Sequence, residues 1–102
     1  MNKYRDKSDF EINKAVAAFN GMVRYNVVES DEKIYTSFDE FDPCNNPADA
    51  MPIIIENKID LTHLVGDMVC AKHKEYWCIR KNPYRAGCEV YLLMKDAENE
   101  KS

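Results

Sequence analysis

A chain of 102 residues with 45% hydrophobic and 31% charged side chains has the apolar material for one compact core and too little length for two. Eighteen acidic against fourteen basic residues leave a formal net charge of -4, which argues against a charge-driven grip on duplex DNA or on an anionic membrane. Apolar runs stay far below the roughly 18–20 residues a spanning helix needs. The polar opening stretch also lacks the apolar segment of a secretory signal, so the expected location is the cytoplasm in which the chain is made.

Ser8 with Glu11 three residues later forms a capping box and starts a first helix at Asp9. Ile12, Ala15, Val16 and Phe19 fall on one stripe, with Glu11, Asn13 and Lys14 outside it. Gly21 ends the helix. Met22 to Glu29 alternates with period two, Lys33 to Phe38 repeats the strand composition, and Ser30 to Glu32 reads as the hairpin loop between them. Phe38 to Cys44 is an acidic, proline-bearing connection.

Asn46 and Pro47 supply the cap and first residue of a second helix, with Met51 and Ile53 to Ile55 as its apolar content. Pro52 lies past the first turn and predicts a kink, or a short turn that restarts there. Ile59 to Val65 and Met68 to His73 flank Gly66-Asp67 as a second hairpin, and Tyr76 to Ile79 suits a further strand. Asn82 and Pro83 open the last helix, Tyr84 to Lys95, whose apolar residues cover most of its circumference, so that it should be the most buried. Residues 1–7 and 96–102 read as frayed ends of a single domain spanning 1–102. The predicted fold class is α+β: a small antiparallel sheet of two hairpins with three helices mainly on one face.

Two asparagine-proline helix starts carry a resemblance. FDPCNNPADAMPIIIENKI (Phe41 to Ile59), NPYRAGCEVYLLM (Asn82 to Met94) and SDFEINKAVA (Ser8 to Ala17) resemble the NinX family of lambda-like phages. The resemblance implies a phage accessory protein, encoded among dispensable early genes, with no assigned catalytic residues to carry over. The chain departs from the family pattern at Met51, Tyr84 and Gly87. A glycine inside a helix costs about 1 kcal/mol relative to alanine, so Gly87 predicts close packing against another backbone.

The four cysteines, Cys44, Cys70, Cys78 and Cys88, belong to a reducing compartment and are expected as free, buried thiols. His63, Cys70, His73 and Cys78 offer zinc-type donors, but their spacing matches no known finger and strand alternation sends Cys70 and His73 to opposite faces. Neither a metal nor another cofactor is therefore expected. A cysteine nucleophile needs a positive setting, whereas Cys44 lies beside Asp39, Glu40 and Asp42, which should raise its pKa. No recognised catalytic signature occurs, and the expectation is a non-enzyme.

Charge is segregated. Glu29, Asp31, Glu32, Asp39, Glu40 and Asp42 face Lys33 alone in one segment, while Lys72, Lys74, Arg80, Lys81 and Arg85 face Glu75 alone in another. Arg80, Lys81 and Arg85 bracket the helix start at Asn82-Pro83, with Trp77 and Tyr84 interleaved, a set suited to a nucleotide or other anion. Against this, Arg85 and Glu89 are four apart and suit a surface ion pair, with Trp77 and Tyr84 in the core. Asp42, Asn45, Asn46 and Asp49 form a second candidate turn, and the two helix starts would make one pocket if they met, across a subunit boundary for example. The resulting expectation is a host-directed binding protein that blocks or sequesters a defence component. The target would be a nucleotide signal or a host protein met through the acidic segment, and an accessory role in phage recombination or replication is the third reading. A homo-oligomer is expected because a small sheet leaves edges to hide.

Overall fold

The computed structural model describes residues 3–21, 24–37 and 39–100. The Ser8 hydroxyl accepts the Glu11 N–H at 3.2 Å, and helix α1 (Asp9–Phe19) follows, closed by Asn20 and a left-handed Gly21 at φ +71°. Ile12 and Val16 are fully buried, as their spacing requires, while Ala15 and Phe19 lean on the core. Asn13 differs from expectation: it is buried too. Phe10, Asn13 and Ala17 form a second buried row beside the first, so the inward face of α1 is wider than the stripe of Ile12 and Val16.

Strands β1 (Tyr25–Val28) and β2 (Lys33–Thr36) pair antiparallel, with Val27 opposite Ile34. A short 3₁₀ turn and Glu32, in the left-handed region at φ +52°, join them. The expected strand bounds at Met22, Val23 and Phe38 lie outside the described residues. Helix α2 (Pro47–Glu56) runs unbroken through Pro52. The helix does not break and restart at Pro52, which deprives only the carbonyl of Ala48, in the exposed first turn, where solvent can satisfy it.

Strands β3 (Asp60–His63), β4 (Val69–His73) and β5 (Tyr76–Arg80) form a separate antiparallel sheet in that order. The two hairpins thus lie in different sheets, and β5 widens the second. Gly66 and Asp67, at φ +73° and +60°, make the turn between β3 and β4. Helix α3 (Pro83–Glu100) crosses the inner face of β4 and β5 and meets α1 and α2 on its other side. Ala86, Cys88, Val90, Tyr91 and Leu92 are all buried, so α3 is the central helix. It continues past Lys95 to Glu100, and the segment before Ser8 is held against it. Tyr4, buried, donates its hydroxyl proton to the Asp96 carboxylate, and Lys3 pairs with Asp96 at 3.2 Å. Neither stretch is frayed where it is described.

Candidate functional site

Both asparagine-proline starts are capped as their residues require. The Asn46 side chain accepts the Ala48 N–H at 3.0 Å, and that of Asn82 accepts the N–H groups of Tyr84 and Arg85 at 2.9 and 3.3 Å. Pro83 has no N–H, and the Ala86 N–H bonds to the Asn82 carbonyl at 3.0 Å. Every amide an anion would take at this helix start is already used.

The two starts do meet, within one chain. The Asn82 amide donates to the Cys44 carbonyl at 2.6 Å and to Asn45 Oδ1 at 3.4 Å. Asn45 Nδ2 donates in turn to Asp9 and Asp42. Asn13 bridges the same turn from α1: its Nδ2 donates to Asp42 at 2.7 Å and its Oδ1 accepts the Cys44 N–H at 3.0 Å. Asp49 Oδ2 accepts the Asp42 N–H at 2.9 Å. The polar turn from Asp42 to Asp49 therefore ties three helix starts together, with Asp42 and Asn45 engaged in its hydrogen bonds and Asn45 and Asn46 exposed.

Arg80 and Arg85 converge on Glu89, whose side chain is 0% exposed. Arg80 binds it through Nη2 and Nε at 2.7 and 2.9 Å, and Arg85 Nε reaches Oε2 at 2.8 Å. Arg85 also donates to Asp9 at 2.6 Å and to the carbonyls of Tyr4 and Lys7 at 3.0 and 2.6 Å. Its side chain is only 12% exposed. Burial alone would lower the Arg85 pKa, but the bonds to Glu89 and Asp9 outweigh it and the pKa is raised. The expected surface pair with Glu89 is instead a part-buried knot around a fully buried Glu89, in which two cations and two carboxylates balance, with Asp9 at its exposed rim.

The side chains grouped as an anion site in the sequence are not gathered around one open pocket, since Arg80 and Arg85 are engaged with Glu89. Alternation along β5 separates Trp77 from Arg80, since Trp77 shares the outer face with Lys72 while Arg80 turns inward to Glu89. Trp77 is 55% exposed, and Lys81 is exposed as well. Tyr84 is half-buried against the core. Sequence reasoning missed Asn13 and the burial of Glu89. The first was readable from its i, i+3, i+7 relation to Phe10 and Ala17, whereas the second depends on Arg80 arriving from another element.

Among the described residues no three histidine, cysteine or acidic groups are placed to share a metal ion. Cys70 lies opposite Thr62 and Ile79 on the outer face, while Cys78 lies opposite Ala71 beneath α3 and donates to the Ala86 carbonyl. Burial, reinforced by Glu89, pushes the Cys78 thiol up to about 12. The Cys44 thiol is also pushed up, by its contact with Cys88 and by burial, with Asp9 as the nearby acid in place of the Asp39, Glu40 and Asp42 expected from the sequence.

Two surface features remain. A groove of about 710 Å³ runs between β5 and the end of α3, with Trp77 on its wall. On another side, a depression of about 390 Å³ between β2 and α2 carries Asp39, Glu40, Asp49 and Glu56. Glu29, Asp31, Glu32 and Asp39 are exposed. No helix among the described residues is long and apolar enough to cross a membrane.

A small α+β domain whose helix starts are locked together by polar side chains is the class these features define. Residues 3–95 match the family described as Bacteriophage P22, NinX, and the chain belongs to that family, a phage accessory protein. No curated protein and no solved structure matches it.

Proposed function

We infer that this phage protein is non-enzymatic and acts by stoichiometric binding to a host protein, a component of antiphage defence, met through the acidic arm. The observation that supports this reading is the division of charge. Arg80 and Arg85, which a nucleotide signal would need, are closed onto Glu89, while the carboxylates of the arm between Glu29 and Asp39 stand in solvent. A buried basic centre and an open acidic surface match a basic protein face better than an anionic small molecule, and opposite charge speeds and orients such encounters.

The test is capture of host proteins from infected cells with the wild-type chain and with an Asp39→Lys, Glu40→Lys variant, each at low and high salt. The reading expects a stoichiometric partner that is lost in the variant and weakened by salt. A partner retained equally by both chains, or a nucleotide carried through purification and seen as added mass in native mass spectrometry, would overturn it in favour of another surface or of the small-molecule reading.

A further inference from the structure

The three-stranded sheet has an open edge. β5 is its outer strand, joined to β4 by the two-residue loop Lys74-Glu75, with His73 opposite Tyr76 and Ala71 opposite Cys78. In an antiparallel ladder closed this way, the N–H and C=O groups of Tyr76, Cys78 and Arg80 point to β4, and those of Trp77 and Ile79 point away from the sheet. Among the described residues no backbone group from outside the sheet bonds to either; the Ile79 carbonyl accepts Arg80 Nη1 at 2.6 Å and keeps a second lone pair for a partner strand. The groove of about 710 Å³ keeps this edge clear of α3, whose Leu93, Asp96, Ala97 and Glu100 form the opposite wall. A hydrophobic edge strand left open is a template for another strand.

The segment Glu75 to Lys81 is complementary to itself when read antiparallel about Cys78. Glu75 then faces Lys81, Tyr76 faces Arg80, Trp77 faces Ile79, and the small Cys78 meets its own equivalent. We propose that β5 pairs with β5 of a second copy across a two-fold axis at Cys78, joining the two sheets into one. In that register Trp77 and Ile79 of opposite copies exchange both backbone hydrogen bonds, and their side chains form one apolar cluster on the outer face, covering the 55% exposed Trp77. Residues Asp60, Thr62 and His63 of the other edge, β3, are exposed and polar, and they give no comparable match. The groove walls carry both signs, Lys3 and Arg5 with Asp96 and Glu100, so two copies do not confront each other with like charge. The acidic arm lies on the other sheet, and this pairing stands or falls independently of the host partner.

The test uses the full chain in sedimentation equilibrium over about 1 to 100 µM, with emission from its one tryptophan as a second readout. The expected result is a dimer that dissociates on dilution, with tryptophan emission moving to the red over the same range. Trp77→Asp should weaken it at least tenfold. Glu75→Lys should weaken it and Glu75→Lys with Lys81→Glu should recover it, with far-UV circular dichroism confirming that each chain is folded. A wild-type chain that stays monomeric, or a dimer whose dissociation constant is unmoved by Trp77→Asp and by both charge variants, overturns the proposal. Should Trp77→Asp fail to fold, loss and recovery in the charge pair decide it.

Discussion

Gly87 stands directly against Ile54: a Cβ at Gly87 would lie 2.5 Å from Ile54 Cδ1 and 2.7 Å from Cγ1. The close approach expected from a helical glycine is therefore to a side chain of α2, not to another backbone. Alanine at position 87 would gain about 1 kcal/mol of helix propensity and lose about 1–3 kcal/mol to overpacking. Because Ile54 is 2% exposed, its Cγ1 and Cδ1 must shift within a packed core to admit the methyl group, and the second effect is expected to win. Gly87→Ala is expected to lower unfolding stability by about 1 kcal/mol, and combining it with Ile54→Val, which removes Cδ1, should cost less than the two changes summed. Urea denaturation of the four chains in that cycle checks it.

Removing Glu89 leaves Arg80 and Arg85 facing each other in a largely closed site. Glu89→Ala is expected to destabilise the protein by about 3 kcal/mol, since taking one partner from a buried pair strands the remaining charge. Arg85→Ala should cost a comparable amount, because Asp9, Glu89 and two carbonyls each lose one donor together, although Arg80 remains on Glu89 and Asn45 on Asp9. Both are read from denaturant midpoints. A loss of binding in Arg85→Ala would then report unfolding before it reported a ligand contact.

The two capping asparagines should differ in cost. Asn46→Ala removes one cap and is expected to cost about 1 kcal/mol. Asn82→Ala removes a cap and also the bond to the Cys44 carbonyl that ties α3 to the start of α2, for an expected total of about 2 kcal/mol. Equal losses in thermal or chemical denaturation would show that the tie contributes nothing.

Alkaline pH should weaken the fold. The Cys78 thiol is raised to about 12 by burial, with Glu89 adding to it, whereas an unfolded thiol ionises near ~8.5. Between those values the unfolded chain has released a proton that the folded chain retains. Stability present below ~8.5 therefore falls by about 1.4 kcal/mol per pH unit as pH rises. Cys44, shifted in the same direction, steepens the fall. Urea midpoints measured from pH 7 to 10 should decline, less so in Cys78→Ala. At neutral pH a thiol-directed reagent should label half-exposed Cys70 before the three buried cysteines.

The local punctuation of the fold was legible in the chain. Ser8, Asn46-Pro47, Gly66-Asp67 and Asn82-Pro83 each fix a start or a turn through one or two residues, and the structure uses each of them. Contacts between distant elements were less so. Arg85 and Glu89 read as a helix-surface pair because nothing in their spacing announces Arg80, nine residues from Glu89 and on a strand. Arg80, Lys81 and Arg85 look like one basic cluster in sequence, yet Arg80 and Arg85 turn inward onto Glu89 while Lys81 stands exposed. Pro52 misled for a related reason, since its cost depends on whether the deprived carbonyl can reach water.

Residues near the two ends of the chain complete one another's structure. Tyr4 bonds to Asp96 across 92 positions, and Arg85 gathers the carbonyls of Tyr4 and Lys7. The last helix also forms the floor on which the first two helices and the sheet are laid. An emerging chain that has exposed only α1, both hairpins and α2 has no central helix to pack them on, so cooperative folding waits for the final turns of α3 to leave the ribosome. The same closure means that removing the residues before Ser8 or after Lys95 takes away half of a contact rather than a loose end. New breaks in the backbone are better tolerated at exposed turns such as Val65–Asp67.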